Sequence, residues 1–268
     1  MTGEAPTTRY PLRLSLLEFD VLWEHLRLNQ MPLVIKVPSP GKTDDERKQY
    51  VWEAWAGLES KGLGRQGEVD MELEGLLALL AHADRELDAR LWVGRSLRVL
   101  AAARGQSPAM AVLTDDQLEL QPVSAEGMPR AVHNMLPQRP AGPGHSVTLP
   151  SADLETAAKQ SGNTPEGLER ALRGLGVRQD DARTLAEMIK GAEQHGQFGA
   201  AARDRWGKRQ RMERVVAFFD TPDGRYLQQQ RSNHGGASWS TISPADTRLM
   251  VHQIEQLLAE ATSNATGS

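Results

Sequence analysis

A segment rich in proline and glycine near the middle of the chain constrains the fold most strongly. Three prolines and two glycines fall between Pro137 and Gly144. Proline lacks an amide hydrogen and glycine costs entropy to order, so this segment can continue neither a helix nor a strand. We therefore predict a boundary there, between an N-terminal half, 1–140, and a C-terminal half, 141–268, of one larger domain.

The N-terminal half mixes helical and strand patterns. Ser15 with Glu18, and Thr43 with Glu46, have the spacing of capping boxes ahead of amphipathic stretches. Proline on both sides of 33–37 favours an extended segment or strand there. The predicted helices lie at about 16–28, between Thr43 and Gly62, at 71–81 and at 128–136; further strands are predicted at 87–93, 97–100, 109–113 and 118–121.

The C-terminal half has a similar mixture. Thr164 followed by Pro165 is typical of a helix start, and Thr221-Pro222-Asp223-Gly224 predicts a tight turn between two strands. The predicted helices lie at 151–160, 165–174, 180–195 and 245–260, and the strands at 197–204, 212–219, 225–231 and 238–242.

The same order of elements occurs in 71–136 and 180–260: a helix, about four strands, then a helix. This order indicates an internal duplication, in which two similar halves share a sheet about a pseudo-twofold axis. Coincidence is the alternative, since αββββα patterns are common and the two stretches share no convincing residue identity. Either way, we predict an α+β fold with an antiparallel sheet and helical bundles.

Composition narrows the class of function. The chain has no cysteine, 35 acidic and 31 basic residues, so disulfides are excluded and no overall positive field attracts nucleic acid. No apolar run approaches the roughly 20 residues of a membrane span, and the first residues lack the pattern of a signal peptide. We expect a cytoplasmic protein without a membrane or nucleic-acid partner.

No motif for catalysis or cofactor binding has the neighbouring secondary structure that its function requires. Gly62-Leu63-Gly64-Arg65-Gln66-Gly67 matches a dinucleotide fingerprint as a string, but a predicted helix, not a strand, leads into it. The histidines lack the spacing that places two metal ligands on one face. We predict no catalytic residues, no cofactor, no metal and no enzymatic activity.

The stretch 203–214 is strongly basic around Trp206. It could track phosphates with the tryptophan as a stacking platform, which makes a nucleic-acid-binding protein the alternative function. It could equally bind a protein through tryptophan and arginine anchors, or be an exposed loop solvated by its charges.

Five stretches of the chain carry a further signal when they are taken together and in order: Leu16–Trp23, Pro32–Gly41, Ala54–Leu58, Arg85–Trp92 and Gly142–Pro150. They resemble the EspG family of actinobacterial proteins associated with ESX (type VII) secretion. The resemblance spans most of the chain, and none of its parts is a catalytic motif.

The resemblance implies a central antiparallel sheet flanked by two helical bundles, in two quasi-symmetric halves. It also implies a cytosolic chaperone, monomeric or homodimeric and without a cofactor. Such a chaperone binds a PE–PPE heterodimer, or another helical ESX substrate, at an apolar helical tip. By position in the family fold, the expected partner-binding residues are Arg95, Arg98, Trp206, Arg209, Gln228, Gln230 and Trp239.

Overall fold

A computed structural model describes residues 10–124, 126–232 and 236–267. These residues form two compact units. The first contains the chain up to Asp88 together with Leu97–Met128, and the second contains Ala89–Ser96 and the chain from Pro129 onward. The predicted halves, 1–140 and 141–268, and their duplication remain a prediction.

The first unit contains three α-helices within its described residues and an antiparallel sheet. The elements are β1 (Leu12–Ser15), α1 (Leu16–His25), α2 (Asp44–Ser60), β2 (Gly64–Arg65), β3 (Glu68–Val69), α3 (Met71–Ala81), β4 (Arg85–Trp92), β5 (Ser96–Arg104), β6 (Ser107–Leu113) and β7 (Gln117–Pro122). The strands of the sheet follow the order β1-β7-β6-β5-β4, in which β4 belongs to this unit only up to Asp88, and a small separate hairpin joins β2 to β3.

Both predicted capping boxes are present in this unit. The Ser15 hydroxyl accepts the amide hydrogen of Glu18, whose carboxylate accepts the Ser15 amide in return, and Thr43 and Glu46 repeat the arrangement at the start of α2. Because each box satisfies otherwise unpaired amides of a first turn, these two pairs fix where α1 and α2 begin.

The leucine face of α3 packs into the core of the first unit. Leu73, Leu77 and Leu80 are buried, and α3 contacts β6 and β7. Leu12 and Leu14 of β1 are buried while Arg13 between them is exposed, as expected of a strand with one face toward the core.

The prediction of a strand or extended segment at 33–37 is wrong in part. Residues Leu33–Ile35 form a short 3₁₀ helix, in which the Ile35 amide donates to the Pro32 carbonyl at 3.0 Å. Val34, Ile35 and Val37 are buried whereas Leu33 is exposed. The apolar run therefore inserts the consecutive side chains of Val34 and Ile35 into the core, which a strand with only one face toward the core does not do.

The second unit combines an antiparallel sheet with helices on both faces. Its elements are α4 (Met128–His133), β8 (Val147–Pro150), α5 (Ser151–Gln160), α6 (Pro165–Gly174), α7 (Gln179–Ile189), β9 (Gln194–Arg203), β10 (Arg209–Arg211), β11 (Val216–Thr221), β12 (Gly224–Ser232), β13 (Ser238–Pro244) and α8 (Thr247–Thr266).

Strand order in this unit is β9-β11-β12-β13-β8, with β10 paired to the end of β9. Ile242 of β13 lies in a core cluster with residues of α5, α6 and α7. Thr241, the residue before Ile242, pairs with Gln229 of β12 and therefore shares the opposite face of the sheet with it. The Gln229 side chain donates a hydrogen bond to Gln253 of α8. Because side chains alternate along a strand, α5–α7 cover one face of the sheet and α8 the other. The predicted α+β class with a large antiparallel sheet is confirmed.

The main differences from the predictions in the second unit lie at the end of α7 and in the stretch after β9. The helix predicted at 180–195 ends at Ile189, because Lys190 is extended and Gly191 has a φ of +69°. The stretch 203–214 is not a simple loop, since Arg209–Arg211 pair with Ala201–Arg203 as the second arm of a hairpin.

A buried polar cluster ties the proline- and glycine-rich segment to the β11–β12 hairpin. Arg225 is fully buried and forms a two-pronged ion pair with Asp220, at 2.7 and 2.8 Å. The same guanidinium donates to the Pro137 carbonyl at 2.9 Å, and the Arg225 amide donates to the Pro140 carbonyl. Arg225 therefore anchors the segment that separates the predicted halves, and the Tyr226 hydroxyl adds a hydrogen bond to the Pro143 carbonyl at 3.2 Å.

His133 borders this cluster and gives a prediction on pH. Burial, reinforced by the positive charges of Arg225 and Arg130, lowers the pKa of His133, against the opposing pull of Asp220. The folded chain thus binds this proton less readily than the unfolded chain. The contribution of neutral His133 to stability is full above the unfolded pKa of about 6.5 and is lost as the pH falls below it.

We expect the loss of unfolding free energy between pH 7 and pH 5 to be smaller in His133→Leu than in the unaltered chain. Urea unfolding of both proteins at pH 7 and at pH 5 gives the loss of unfolding free energy in each. Because each loss compares one protein with itself, any cost of the substitution that does not depend on pH cancels. An equal loss in the two proteins would contradict a neutral, buried imidazole.

Candidate functional site

An open groove lies on the second unit between the sheet and its helices. The side chains of α5 and α6, the residues that follow α7 and strands β11–β13 enclose about 720 Å³. We call this space the sheet–helix groove. Such a volume lies within the range of ligand-binding clefts.

The floor of the groove is one face of the sheet. Gln228 and Gln230 alternate along β12, and the register places Ile242 opposite the first and Ser240 opposite the second. Phe219, on the adjacent β11, stacks on Tyr226 with ring centroids 5.2 Å apart. The floor therefore combines amide groups with apolar surface.

Hydroxyl contacts hold the floor against the start of α5. Ser151, the first residue of α5, lies 2.8 Å from the Ser240 hydroxyl and 3.2 Å from that of Ser238. The Ser238 hydroxyl also accepts from the Gln230 amide at 2.8 Å. This chain of contacts orients Gln230 before any partner arrives, which lowers the entropy cost of binding.

The walls of the groove are mainly apolar with few charges. Leu154 and Leu168 contribute from α5 and α6, and Ile189 from the end of α7. Glu155 and Lys190 are charged residues of opposite sign on this lining. This arrangement suits the burial of an apolar surface whose backbone or polar edges need hydrogen bonds.

The structure brings two of the predicted partner-binding residues into the groove. Gln228 and Gln230 line it. Trp239 does not, because it neighbours Ser240 on β13 and by alternation points to the opposite face, where it is 41% exposed. Its role as a contact remains a prediction for that other face.

The remaining predicted residues lie elsewhere. Trp206 and Arg209 belong to the hairpin of residues 203–211, which we call the basic hairpin. Arg95 is exposed in the turn after β4. Arg98, on β5 of the first unit, donates to the Lys36 carbonyl at 3.1 Å. Their predicted contact with a partner remains a prediction.

Sequence reasoning named no residue on the helical side of the groove. Ser151, Leu154 and Ala158 of α5 line it, yet their pattern in the sequence indicates only an amphipathic helix. Leu154 is half-buried and Ala158 exposed. A helix that leaves part of its apolar stripe uncovered is the one signal that could have marked this wall.

The described residues lack the features of two other classes of site. Within residues 10–124, 126–232 and 236–267, no group of three or more histidine, aspartate or glutamate residues is placed to hold a metal ion. No helix in the described part of the chain is long and apolar enough to cross a membrane.

The α+β fold with its antiparallel sheet matches a solved chaperone. The type VII secretion system chaperone EspG5 of Mycobacterium tuberculosis, solved in complex with a PE25–PPE41 dimer, superposes with a TM-score of 0.73 at 17% identity; the match covers 92% of this chain and 95% of that one. A pyran synthase domain from module nine of the sorangicin pathway, 13% identical over 74% of this chain and 85% of its own, reaches a TM-score of only 0.11. The superposition on EspG5 shows that the two chains share a fold.

Residues 15–256 match the EspG family. This range is most of the 268 residues, and the chain belongs to the EspG family. The family predicted from the sequence is thereby confirmed. No curated protein matches the chain.

Proposed function

We propose that the chain is a cytoplasmic type VII secretion chaperone that binds the apolar helical tip of a PPE-type protein, within a PE–PPE heterodimer, in the sheet–helix groove. Membership of the EspG family supports the class of function. The complex in which EspG5 was solved supports the class of partner. The observation that carries the proposal is the groove itself, with its apolar walls and its amide-bearing floor.

The size of the groove suits such a tip. An α-helix about 10 Å across with a pitch of 5.4 Å occupies roughly 420 Å³ per turn, so the observed 720 Å³ accommodates somewhat less than two turns. Leu154, Leu168 and Phe219 would cover the apolar side chains of the tip. Gln228 and Gln230 would bond to its free carbonyls, since the last turn of a helix leaves these unpaired.

The proposed activity is binding without chemistry. Covering an exposed apolar tip prevents its self-association and needs only the free energy of burial. Release would require competition or remodelling by another component of the secretion apparatus.

A substitution that fills the groove tests the proposal. Ala158 is exposed on α5 and lines the groove, so Ala158→Arg places a long charged side chain there without disturbing the core. We expect the affinity for a co-expressed PE–PPE heterodimer from the same genome to fall at least about tenfold, which corresponds to about 1.4 kcal/mol. Isothermal titration calorimetry measures the dissociation constants.

Ala152→Arg provides the matched control. Ala152 is exposed on the same helix but is not part of the groove lining, so this variant should bind within about twofold of the unaltered chain. Failure of every heterodimer to bind, or equal binding by the Ala158 and Ala152 variants, would refute the groove as the site.

A further inference from the structure

The basic hairpin concentrates positive charge on an acidic chain. Five of its nine residues are arginine or lysine, whereas the whole chain has a formal charge of −4. Arg205, Lys208 and Arg209 are exposed. The only acidic residue of the hairpin, Asp204, is buried. The exposed charged side chains of the hairpin are therefore all positive.

The Asp204 carboxylate stabilises the turn of the hairpin through three hydrogen bonds. Its carboxylate accepts the amide hydrogens of Trp206 and Lys208 at 3.0 and 2.9 Å, and the Gln210 side chain at 3.2 Å. Burial by itself would raise the pKa of Asp204, but these three hydrogen bonds, together with the positive charge of Lys208, outweigh it and leave the pKa below its usual value. The buried carboxylate thus shapes the turn, while Arg205, Lys208 and Arg209 remain exposed on the hairpin.

This turn carries an exposed tryptophan. Trp206 is 68% exposed, and the Arg205 guanidinium lies 4.0 Å from the centre of its ring. Large exposed aromatic side chains are unfavourable in water, and tryptophan and arginine are, with tyrosine, the residue types enriched among those that dominate binding energy. A flat apolar surface with a cationic rim is therefore held in place before binding.

We propose that the basic hairpin is a second docking surface, and that it binds an acidic protein segment in which carboxylates flank an apolar side chain. The apolar side chain would lie on Trp206, and the carboxylates would pair with Arg205 and Lys208. Guanidinium groups bind carboxylates through two parallel hydrogen bonds, which gives geometric selection as well as charge attraction.

A protein segment fits this surface better than a nucleic acid does. Proteins that bind single strands combine an extended basic groove with several aromatic platforms, whereas this hairpin offers one tryptophan at the end of a pair of strands. The net negative charge of the chain would also repel a long polyanion outside the hairpin. A short acidic segment meets only the cationic surface.

The second surface is distinct from the sheet–helix groove. None of the described residues that line the groove belongs to 203–211, and the hairpin extends from the end of β9, where β10 pairs with it. One chain could therefore hold a helical tip and an acidic segment simultaneously, and the second interaction does not depend on the first.

Fluorescence anisotropy of the full chain with labelled probes tests this proposal. The probes are a short peptide of Asp-Glu pairs separated by single leucines, the same peptide with serine in place of leucine, and oligo-dT. We expect the leucine peptide to bind most tightly, and its affinity to fall at least about tenfold in Arg205→Glu/Lys208→Glu and in Trp206→Ala.

Lys42→Glu/Arg104→Glu is the charge-matched control, since both residues are exposed in the first unit; its affinity should stay within about twofold of the unaltered chain. The groove variant Ala158→Arg should also bind the peptide normally, which separates this proposal from the proposed function. Circular dichroism confirms that each variant is folded. The proposal is overturned by tighter binding of oligo-dT than of the leucine peptide, by no peptide binding, or by equal loss in the control variant.

Discussion

Replacing Asp220 with asparagine should destabilise the chain by about 3–5 kcal/mol, the usual cost of removing one partner of a buried ion pair. Arg225 and Asp220 have side-chain exposures of 0% and 2%. The substitution keeps the shape of the side chain but leaves the guanidinium charged, dry and without its counter-ion. Since natural domains are stable by only about 5–15 kcal/mol, the loss should lower the midpoint of urea unfolding markedly.

Two further variants identify the source of the loss. Asp220→Leu/Arg225→Met removes both charges and should recover much of the stability, because buried pairs can often be replaced by apolar residues at little cost. Glu119→Gln breaks the exposed pair with Arg13, in which the two side chains are 29% and 62% exposed, and should cost less than about 1 kcal/mol. A loss of similar size in Asp220→Asn and Glu119→Gln would mean that the buried pair contributes little.

The same ion pair illustrates what the sequence could not predict. Asp220 and Arg225 flank a turn that the sequence identified correctly, since Thr221 pairs with Gly224 across the end of the β11–β12 hairpin. Their burial depends on the segment from Pro137 to Gly144 lying over that hairpin. The chemistry of a turn is local, so four residues are enough to predict it. The packing of a distant segment on that turn cannot be predicted from local sequence.

Local signals predicted most elements of the fold. Capping boxes placed the starts of α1 and α2, and the leucine period gave α3 with the bounds observed, Met71–Ala81. The failure at Leu33–Ile35 has the opposite cause. A short apolar run is compatible with a strand or a buried turn, and only the surrounding core decides between them.

The candidate site was predictable only in its strands. Gln228 and Gln230 stand at alternate positions of a predicted strand, which places both on one face. The position of α5 on one face of the sheet depends on how α5 packs on β13 and β8. The same packing brings Leu154 and Ala158 into the lining of the groove. That packing joins residues about 90 positions apart, such as Ser151 and Ser240, and no periodicity in either stretch records it.

Substitution of Gly224 with alanine should also be severely destabilising, by about 3 kcal/mol or more. Gly224 has a φ of +145°, which side chains with a β-carbon rarely adopt, and a β-carbon there would lie 2.6 Å from the backbone of Gly142. The clash is with main chain and cannot be relieved by a change of rotamer. It would force the segment around Gly142 away from the hairpin and disturb the hydrogen bonds that Arg225 makes to that segment.

Gly105→Ala separates the cost of the positive φ from the cost of the clash with the Gly142 backbone. Gly105 has a φ of +58°, but apart from its own residue and its two chain neighbours no atom lies within 4 Å of the position that a β-carbon would take there. Alanine should therefore cost only the left-handed conformation, about 1–2 kcal/mol. Urea unfolding of both variants gives the comparison. If Gly224→Ala is no worse than Gly105→Ala, the close approach of the segment to the β11–β12 hairpin is not maintained in solution, and the buried position of Arg225 would need another explanation.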